Sequence, residues 1–455
     1  MNKSNPIDKF KEECGVFGIF SEDEIDISAI SYVALSALQH RGQESCGICT
    51  YSKNKMNCYK GMGLVSDVFN REELHKLIGK SAIGHVRYST FGESNLNNAQ
   101  PILSGRGSRE IAIAHNGNIT NAIPLKKDLE NKRVEFDTSV DSEIILKLIE
   151  NKDIRHLETA IVEVMKQLKG GYAVVLLTNE KIIGFRDPNG TRPLCIGKFK
   201  NSFILCSESC AIDAIGGELI RDVCPGEIVT IDSEGLKSNY CLEKTSNTIC
   251  AFEYIYFARA DSVIDKLSVY ESRINIGKRL WEESPVDADI VIGVPESGTT
   301  AAVGFSIASG IPYDIGLVKN QYIGRTFIEP LREKRQADLD IKLSVIRSSV
   351  EGKRIVVVDD SIVRGTTSKK IVALLRKAGA KEIHFRSASP IIKYPCFWGI
   401  NTPDRSELLG SSNTVDEIKE LIGADSLKYV SIDGLIKSLG NKITCLKCFL
   451  NKEKI

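Results

Sequence analysis

No apolar run in the 455 residues approaches the roughly 18 consecutive residues that a membrane-spanning helix requires. The longest runs, 172–177 and 355–358, have the length of buried strands. Charge of one sign is also missing. Lys and Arg total 60 against 59 Asp and Glu, a net of +1, so no global basic field gathers nucleic acid. Tyr and Phe are spread evenly and form no base-stacking motif. The sequence has no internal repeat and no low-complexity segment. Its first 13 residues, MNKSNPIDKFKEE, lack the apolar core of a secretory signal, and Lys3, Lys9 and Lys11 are balanced by Asp8, Glu12 and Glu13. A reducing, cytoplasmic location is therefore expected. There the 13 cysteines, an odd number that cannot all pair, serve as thiols, metal ligands or catalysts rather than staples. What remains is an ordinary globular composition, 42% hydrophobic and 26% charged. The length suggests two or three domains at ~150 residues each.

Composition changes near residues 233–249. Before that point lie short strand-like runs at 15–20, 45–51, 81–89, 110–116, 172–178, 181–186 and 203–208. Between them, apolar residues recur at i, i+3 and i+4 over 28–40, 141–151 and 153–168. Many strands with a few long helices predict an α+β domain over 14–235. The polar stretch 233–248 lacks a period and reads as a linker. Beyond it, strands at 288–295, 314–319, 353–360 and 381–387 accompany helices at 299–309 and 367–378. That rhythm predicts an α/β domain with a parallel sheet over 250–455. The charged segment 321–340, which includes Arg325, Arg332 and Arg335, matches no packed element and reads as a functional lid or a disordered stretch.

Glu13-Cys14-Gly15-Val16-Phe17-Gly18 is the first informative stretch. It reads either as a buried strand thiol or as a nucleophile preceded by a removable propeptide, residues 1–13. With those residues gone, the α-amine of Cys14, of ordinary pKa ~7.7–8.0, could act as base for its own thiol. Three further runs favour the nucleophile. His85-Val86-Arg87-Tyr88-Ser89-Thr90 ends a strand in a guanidinium suited to a carboxylate. In His115-Asn116-Gly117-Asn118, the Asn116 amide and the Gly117 N–H could form an oxyanion hole. Asp141 opens a helix, where it could hold a substrate ammonium. Each has a bland reading alone: a surface charge, a turn and a helix cap. Together they are what hydrolysis of a glutamine amide needs.

These runs, with Gln39-His40-Arg41-Gly42-Gln43-Glu44-Ser45, resemble the class II glutamine amidotransferases, which are N-terminal nucleophile hydrolases. The four motifs stand in family order over residues 14–145. The resemblance implies an αββα sandwich in which Cys14 attacks glutamine. It implies that Arg87 and Thr90 hold the α-carboxylate, Asp141 the α-amine, and Asn116 with Gly117 the oxyanion.

The second half carries the strongest single motif, Arg354-Ile355-Val356-Val357-Val358-Asp359-Asp360-Ser361-Ile362-Val363-Arg364-Gly365-Thr366-Thr367. An apolar strand ends in two carboxylates, and Gly-Thr-Thr opens a helix whose N–H groups and hydroxyls make a phosphate cradle. The carboxylates can bind ribose hydroxyls or Mg²⁺. The motif resembles the PRPP signature of type I phosphoribosyltransferases. That likeness implies that Asp359 and Asp360 meet the ribose hydroxyls and one Mg²⁺ per subunit, and that Gly365, Thr366 and Thr367 cradle the 5-phosphate. It also implies Ser297 near Mg²⁺ and Arg325, on the flexible loop, at pyrophosphate.

Cys445-Leu446-Lys447-Cys448 has chelating spacing, whereas Cys46 and Cys49 lie three apart on a strand, face opposite sides and read as packing thiols. With Cys250 and Cys396, the C-terminal pair makes four thiolates, which by spacing alone suit Zn²⁺ or an iron–sulfur cluster. A class II glutaminase fused to a PRPP domain resembles the glutamine phosphoribosylpyrophosphate amidotransferases over nearly the whole chain. The likeness extends to 253–259 between the halves. Cys46 departs from it, a small apolar residue being more usual there. The Bacillus-type subgroup implies a propeptide and one [4Fe–4S] cluster per subunit on Cys250, Cys396, Cys445 and Cys448.

The expected enzyme hydrolyses glutamine and passes ammonia to PRPP, giving 5-phosphoribosylamine in the first committed step of de novo purine synthesis. The resemblance further implies feedback by purine nucleotides and a homotetramer, while the charge balance and the lack of long apolar runs predict no nucleic-acid or membrane partner. Rival readings are a glucosamine-phosphate synthase, disfavoured by Asp359-Asp360, and a salvage phosphoribosyltransferase, which leaves the first domain unexplained. A third is a PRPP or oxygen sensor on a dead enzyme, against which stand Cys14, Asn116 and Asp141.

Overall fold

The computed structural model describes residues 14–53, 55–88, 92–105, 110–152, 156–240, 248–320, 343–396, 398, 402 and 404–450. The propeptide segment 1–13, Thr90, Arg325 and the loop 321–340 lie outside the described residues.

Two antiparallel sheets make up the first half. One runs in the spatial order Glu218–Asp222, Cys195–Phe199, Ser202–Cys206, Gly15–Phe20, Ser81–Arg87, Ser45–Ser52, Lys55–Met62. The other runs Gly235–Tyr240, Glu227–Asp232, Ile182–Arg186, Gly170–Leu177, Ile111–Ile119, Ile102–Ser104. Alternation along the strands decides the layering, because successive side chains point to opposite faces. Val16 and Phe20 meet Ile83, Ala112, Ala114 and Val175 in a core between the sheets. Phe17, Ile19, Ala82 and Val86 point outward, onto a core shared with helix Ile27–Ala37. Ile111, Ile113 and Val174 point the other way, beneath helices Asp141–Glu150 and Leu157–Met165. Each fully buried aliphatic side chain contributes about 1.5–3 kcal/mol. The result is the expected αββα sandwich.

One segment differs from expectation. The polar stretch read as a linker contributes strand Gly235–Tyr240, paired with Glu227–Asp232 at a sheet edge. An edge strand needs only one paired side, so its sequence carries little apolar signal.

The second half is a four-stranded parallel sheet, Ile290–Gly293, Arg354–Asp359, Glu382–Ser387, Ser426–Tyr429. Helices Ser297–Ser309 and Thr366–Lys377 follow its first two strands. Ile355 and Val357 enter one core with Ile371 and Leu375, while Val356 and Val358 enter another with Ala302 and Phe305. Both faces are covered, so the central strand reads as a continuous apolar run rather than an alternating one.

The halves meet through polar groups. Cys250 N–H donates to the Thr191 carbonyl at 3.2 Å and Thr248 N–H to the Asn189 carbonyl at 2.7 Å. The hairpin Val263–Ile264 to Leu267–Ser268 turns on Asp265 and Lys266, with φ of +46° and +66°. Its tip presses the Asp265 carboxylate onto the buried Arg186 guanidinium, at 3.0 and 3.3 Å. Asp265→Ala removes the closest counter-charge of that guanidinium, leaving only the more distant Asp222 and Asp187. A loss of about 3–5 kcal/mol is expected in chemical unfolding followed by circular dichroism, and a loss under ~1 kcal/mol would show that the carbonyls around Arg186 suffice.

Candidate functional site

Strand alternation brings the first group of predicted residues together. Even-numbered side chains of Gly15–Phe20 face the second sheet, so Cys14, one step before the strand, lies on that side. On Ser81–Arg87 the inward residues are odd, which places Arg87 beside it, because Gly15 pairs with Val86. On Ile111–Ile119 the inward residues are even, which turns Asn116 back toward the first sheet. All three therefore face the inter-sheet space at one end of the sandwich.

Cys14 is buried, and its Sγ lies 3.4 Å from the Tyr88 carbonyl. Asn116 is fully buried, yet among the described residues neither its Oδ1 nor its Nδ2 finds a hydrogen-bond partner. Gly117 has φ +139°, and a Cβ there would stand 2.1 Å from the Gly171 carbonyl oxygen. Any side chain would thus push this backbone away from the neighbouring strand. Asp141 occupies the first position of its helix, after the capping residue Val140, and accepts the Ile119 N–H at 2.9 Å. The bland cap reading thus gives way to a tie between helix and strand end. Arg87 is buried, with Nη1 3.7 Å from the Glu44 carboxylate. Burial, and then the nearby Arg87 charge, push the Lys60 ammonium below its usual range.

The second group converges at the end of the parallel sheet. Asp359 ends the central strand, Asp360 follows it, and both are buried. The Asp360 N–H donates to Asp359 Oδ1 at 2.9 Å, and the Ser361 hydroxyl donates to Asp360 Oδ1 at 2.7 Å. The Ser297 hydroxyl, opening the neighbouring helix, donates to the other Asp360 oxygen. Gly365, with φ +76°, caps the helix that Thr366 and Thr367 begin. The first turn of a helix presents N–H groups without intrahelical partners, which suits a phosphate.

The third group gathers four free thiols. Cys250 and Cys445 stand opposite each other where Ile249–Cys250 pairs with Thr444–Cys445. The Cys448 carbonyl accepts the N–H groups of Lys393 and Tyr394 at 3.0 and 3.1 Å, drawing in the segment that carries Cys396. Burial first, and then the neighbouring sulfurs, push the Cys250 and Cys448 thiols well up. Among the described residues, no group of three or more His, Cys, Asp or Glu is disposed to hold a metal ion.

The packing-thiol reading holds for Cys46 but not for Cys49, which forms a disulfide with Cys58. The two stand directly across the hairpin of Ser45–Ser52 and Lys55–Met62, with Cα atoms 4.0 Å apart. Spacing along one strand does not reveal a partner on the next.

Comparison with known proteins agrees with this geometry. Residues 85–214 match the glutamine amidotransferase domain family, and 278–388 match the phosphoribosyl transferase domain family. The amidophosphoribosyltransferase of Bacillus subtilis is 47% identical over 448 residues, covering 97% of this chain and 94% of that protein. The amidophosphoribosyltransferase of Archaeoglobus fulgidus is 47% identical over 97% of this chain and 98% of its own. The solved glutamine PRPP amidotransferase from B. subtilis, complexed with ADP and GMP, superposes with a TM-score of 0.91 at 46% identity. That match covers 96% of this chain and 97% of the solved one. The chain belongs to the amidophosphoribosyltransferase family. It is a glutamine-dependent glycosyltransferase of purine biosynthesis, built from a class II glutaminase half and a phosphoribosyltransferase half. No helix among the described residues is long and apolar enough to cross a membrane.

Sequence reasoning missed two residues of this site, Arg41 and His85. Arg41 stands within the run Gln39–Ser45, where local sequence gives it no role. Its guanidinium is fully buried between Glu208 and Glu253, whose partnerships span 167 and 212 residues. His85 is fully buried, with Nε2 3.0 Å from the His115 carbonyl. Burial, the largest cause, pushes its imidazole down to about 3 despite that bond.

The His85 shift predicts a pH effect. Unfolded His takes up a proton below about 6.5, while the folded ring stays neutral until about 3. The unfolded state thus binds more protons in this window, and stability falls as pH drops through it. Unfolding measured from pH 7 to pH 4 should lose up to about 1.4 kcal/mol per pH unit of slope in His85→Gln. Equal slopes in the two proteins would mean that His85 ionises normally.

Proposed function

We propose that Cys14 becomes the N-terminal residue when residues 1–13 are removed, and that it attacks the glutamine amide. Its α-amine takes the thiol proton. The Asn116 amide and Gly117 N–H receive the oxyanion, and ammonia leaves as the amine returns the proton. Water then releases glutamate from the thioester. Arg87, with Thr90 by motif, holds the substrate α-carboxylate, and Asp141 its α-ammonium. The observation that carries this reading is Asn116. A buried amide with neither end bonded costs about 1–3 kcal/mol, a cost that makes sense where a ligand supplies the missing bonds.

In the second half, Asp359 and Asp360 hold the ribose hydroxyls of PRPP, while Gly365, Thr366 and Thr367 hold its 5-phosphate. Arg325 meets pyrophosphate by motif alone. Ammonia from the first site displaces pyrophosphate from C1 and gives 5-phosphoribosylamine. One Mg²⁺ per subunit would sit beside Asp359, Asp360 and Ser297. It would be completed by substrate oxygens, as is usual for this ion, and would neutralise charge on the departing pyrophosphate. Cys250, Cys396, Cys445 and Cys448 would hold one [4Fe–4S] cluster, which spreads its ligands more widely than a single ion does. No step is redox chemistry, so its role is structural. The first domain runs from 14 through strand Gly235–Tyr240, five residues past the expected boundary at 235, and the second over 250–455. Purine-nucleotide feedback finds support in the B. subtilis complex with ADP and GMP. A cytoplasmic homotetramer completes the reading.

Glutamate release by anaerobically purified protein with Mg²⁺, with and without PRPP, tests it. Strong stimulation by PRPP is expected, with kcat falling about 10²–10³-fold in Asn116→Ala. No glutamate from protein beginning at Cys14 would overturn the assignment. Separately, Cys445→Ser should abolish soluble expression, because thiolates from distant segments lose their common centre. A soluble, active variant without iron would sink the structural role.

A further inference from the structure

An N-terminal residue is the loosest point of a chain, yet Cys14 would need both its thiol and its amine held in register with the glutamine. Its carbonyl is the anchor. Arg41 Nε donates to the Cys14 carbonyl at 3.0 Å. The guanidinium that makes this bond is gripped from two sides. Arg41 Nη1 donates to Glu208 Oε1 at 2.5 Å and to Glu253 Oε2 at 3.0 Å, and Nη2 donates to Glu253 Oε1 at 3.0 Å. All three side chains are fully buried. Glu208 belongs to the glutaminase half. It also accepts the Arg259 N–H at 2.9 Å and the Ser262 hydroxyl at 2.6 Å, both from the other half. Glu253 belongs to the phosphoribosyltransferase half and begins the turn Glu253–Phe257. The Tyr254 carbonyl of that segment and the Ala258 carbonyl just after it accept from the buried Arg273 at 2.8 and 2.7 Å.

We propose that Glu253 is a positioning residue for glutamine hydrolysis, supplied to the glutaminase site by the other catalytic half. Its bidentate grip sets the plane of the Arg41 guanidinium, and that plane sets the Cys14 carbonyl and the direction of the amine and thiol beyond it. The glutaminase site is then incomplete without the second half. Glu253 touches neither substrate. The inference rests on the reading of Cys14 as N-terminal nucleophile.

The geometry says which changes matter. Glu253→Gln keeps the shape but removes the charge and turns one acceptor into a donor facing an N–H. Glu253→Asp keeps the charge but withdraws it by one methylene. A displacement near 1 Å at a nucleophile costs about 10²-fold in rate. A positioning defect should therefore appear in kcat for glutamine with little change in KM.

The test uses protein that carries both halves and whose intact mass shows an N-terminal Cys14. Glutamine-supported and ammonia-supported formation of phosphoribosylamine are measured on the same preparation. For Glu253→Gln, the ratio of glutamine- to ammonia-supported turnover should fall at least tenfold, with KM for glutamine within about threefold and partial recovery in Glu253→Asp. A ratio within twofold of the unaltered protein overturns the proposal, as does a loss confined to KM. If the Gln variant is insoluble, Arg41→Lys tests the same link from the glutaminase side. Lysine keeps the charge but cannot bond Cys14 and both carboxylates together, so an unchanged ratio overturns the proposal there too. If unaltered protein beginning at Cys14 releases no glutamate, the nucleophile assignment fails instead, a distinct outcome.

Discussion

The face-to-face burial of two sheets is the constraint on which the rest of the glutaminase half depends. A strand offers two faces, and a residue's parity decides which one it occupies. Once Val16, Ile83 and Ala114 are committed to the core between the sheets, Cys14, Arg87 and Asn116 have no freedom to face elsewhere. A slip of one residue in any of these strands would move its apolar set to the wrong face. The hydrophobic pattern that stabilises the sandwich therefore also aligns the site. The order of magnitude is lopsided. Many buried side chains at about 1.5–3 kcal/mol each set the register, while one unbonded amide at Asn116 costs about 1–3 kcal/mol.

The parallel sheet does the same work with a different geometry. Its strands are covered on both faces, so no side chain of the central strand has an open face along its length. Chemistry is pushed to the strand ends, where Asp359 and Asp360 emerge and helix N-termini point the same way. Ser297 reaches Asp360 because the first two strands run side by side in register. The phosphate cradle and the carboxylates are thus consequences of one topology.

Legibility in the sequence followed the range of the interactions. Strands such as Gly15–Phe20 and Arg354–Asp359 announced themselves, because alternation and continuous burial are local patterns. The motif around Asp359 was readable because strand, carboxylates and cradle follow one another directly in the chain. Strand Gly235–Tyr240 escaped because a polar edge strand carries no such pattern. Cys49 was misread because its partner sits on the next strand, in a pairing that spacing along one strand cannot show. Arg41 stood within a recognised motif, but its role depends on partners 167 and 212 residues away. No local pattern encodes such a contact. The cysteine set was legible only as a set of residue types; what joins Cys250 to Cys445 is a two-residue strand pairing.

The charges at the junction bear on why two catalytic halves share one chain. Buried ion pairs are a poor source of stability, since apolar residues of similar volume often serve as well or better. A purely adhesive interface would favour apolar contact, yet this one places Arg41, Glu208, Glu253 and Arg186 out of solvent. What such pairs provide that apolar contact does not is direction. A bidentate carboxylate fixes the plane of a guanidinium, while a packed leucine leaves its neighbour free to rotate. Burial raises the stakes, because a shift that breaks the pairing strands a charge in a dry environment. The two halves are therefore held in one relative orientation more strictly than contact area alone would impose. That orientation is the one in which a group from the phosphoribosyltransferase half reaches the residue next to Cys14 in space.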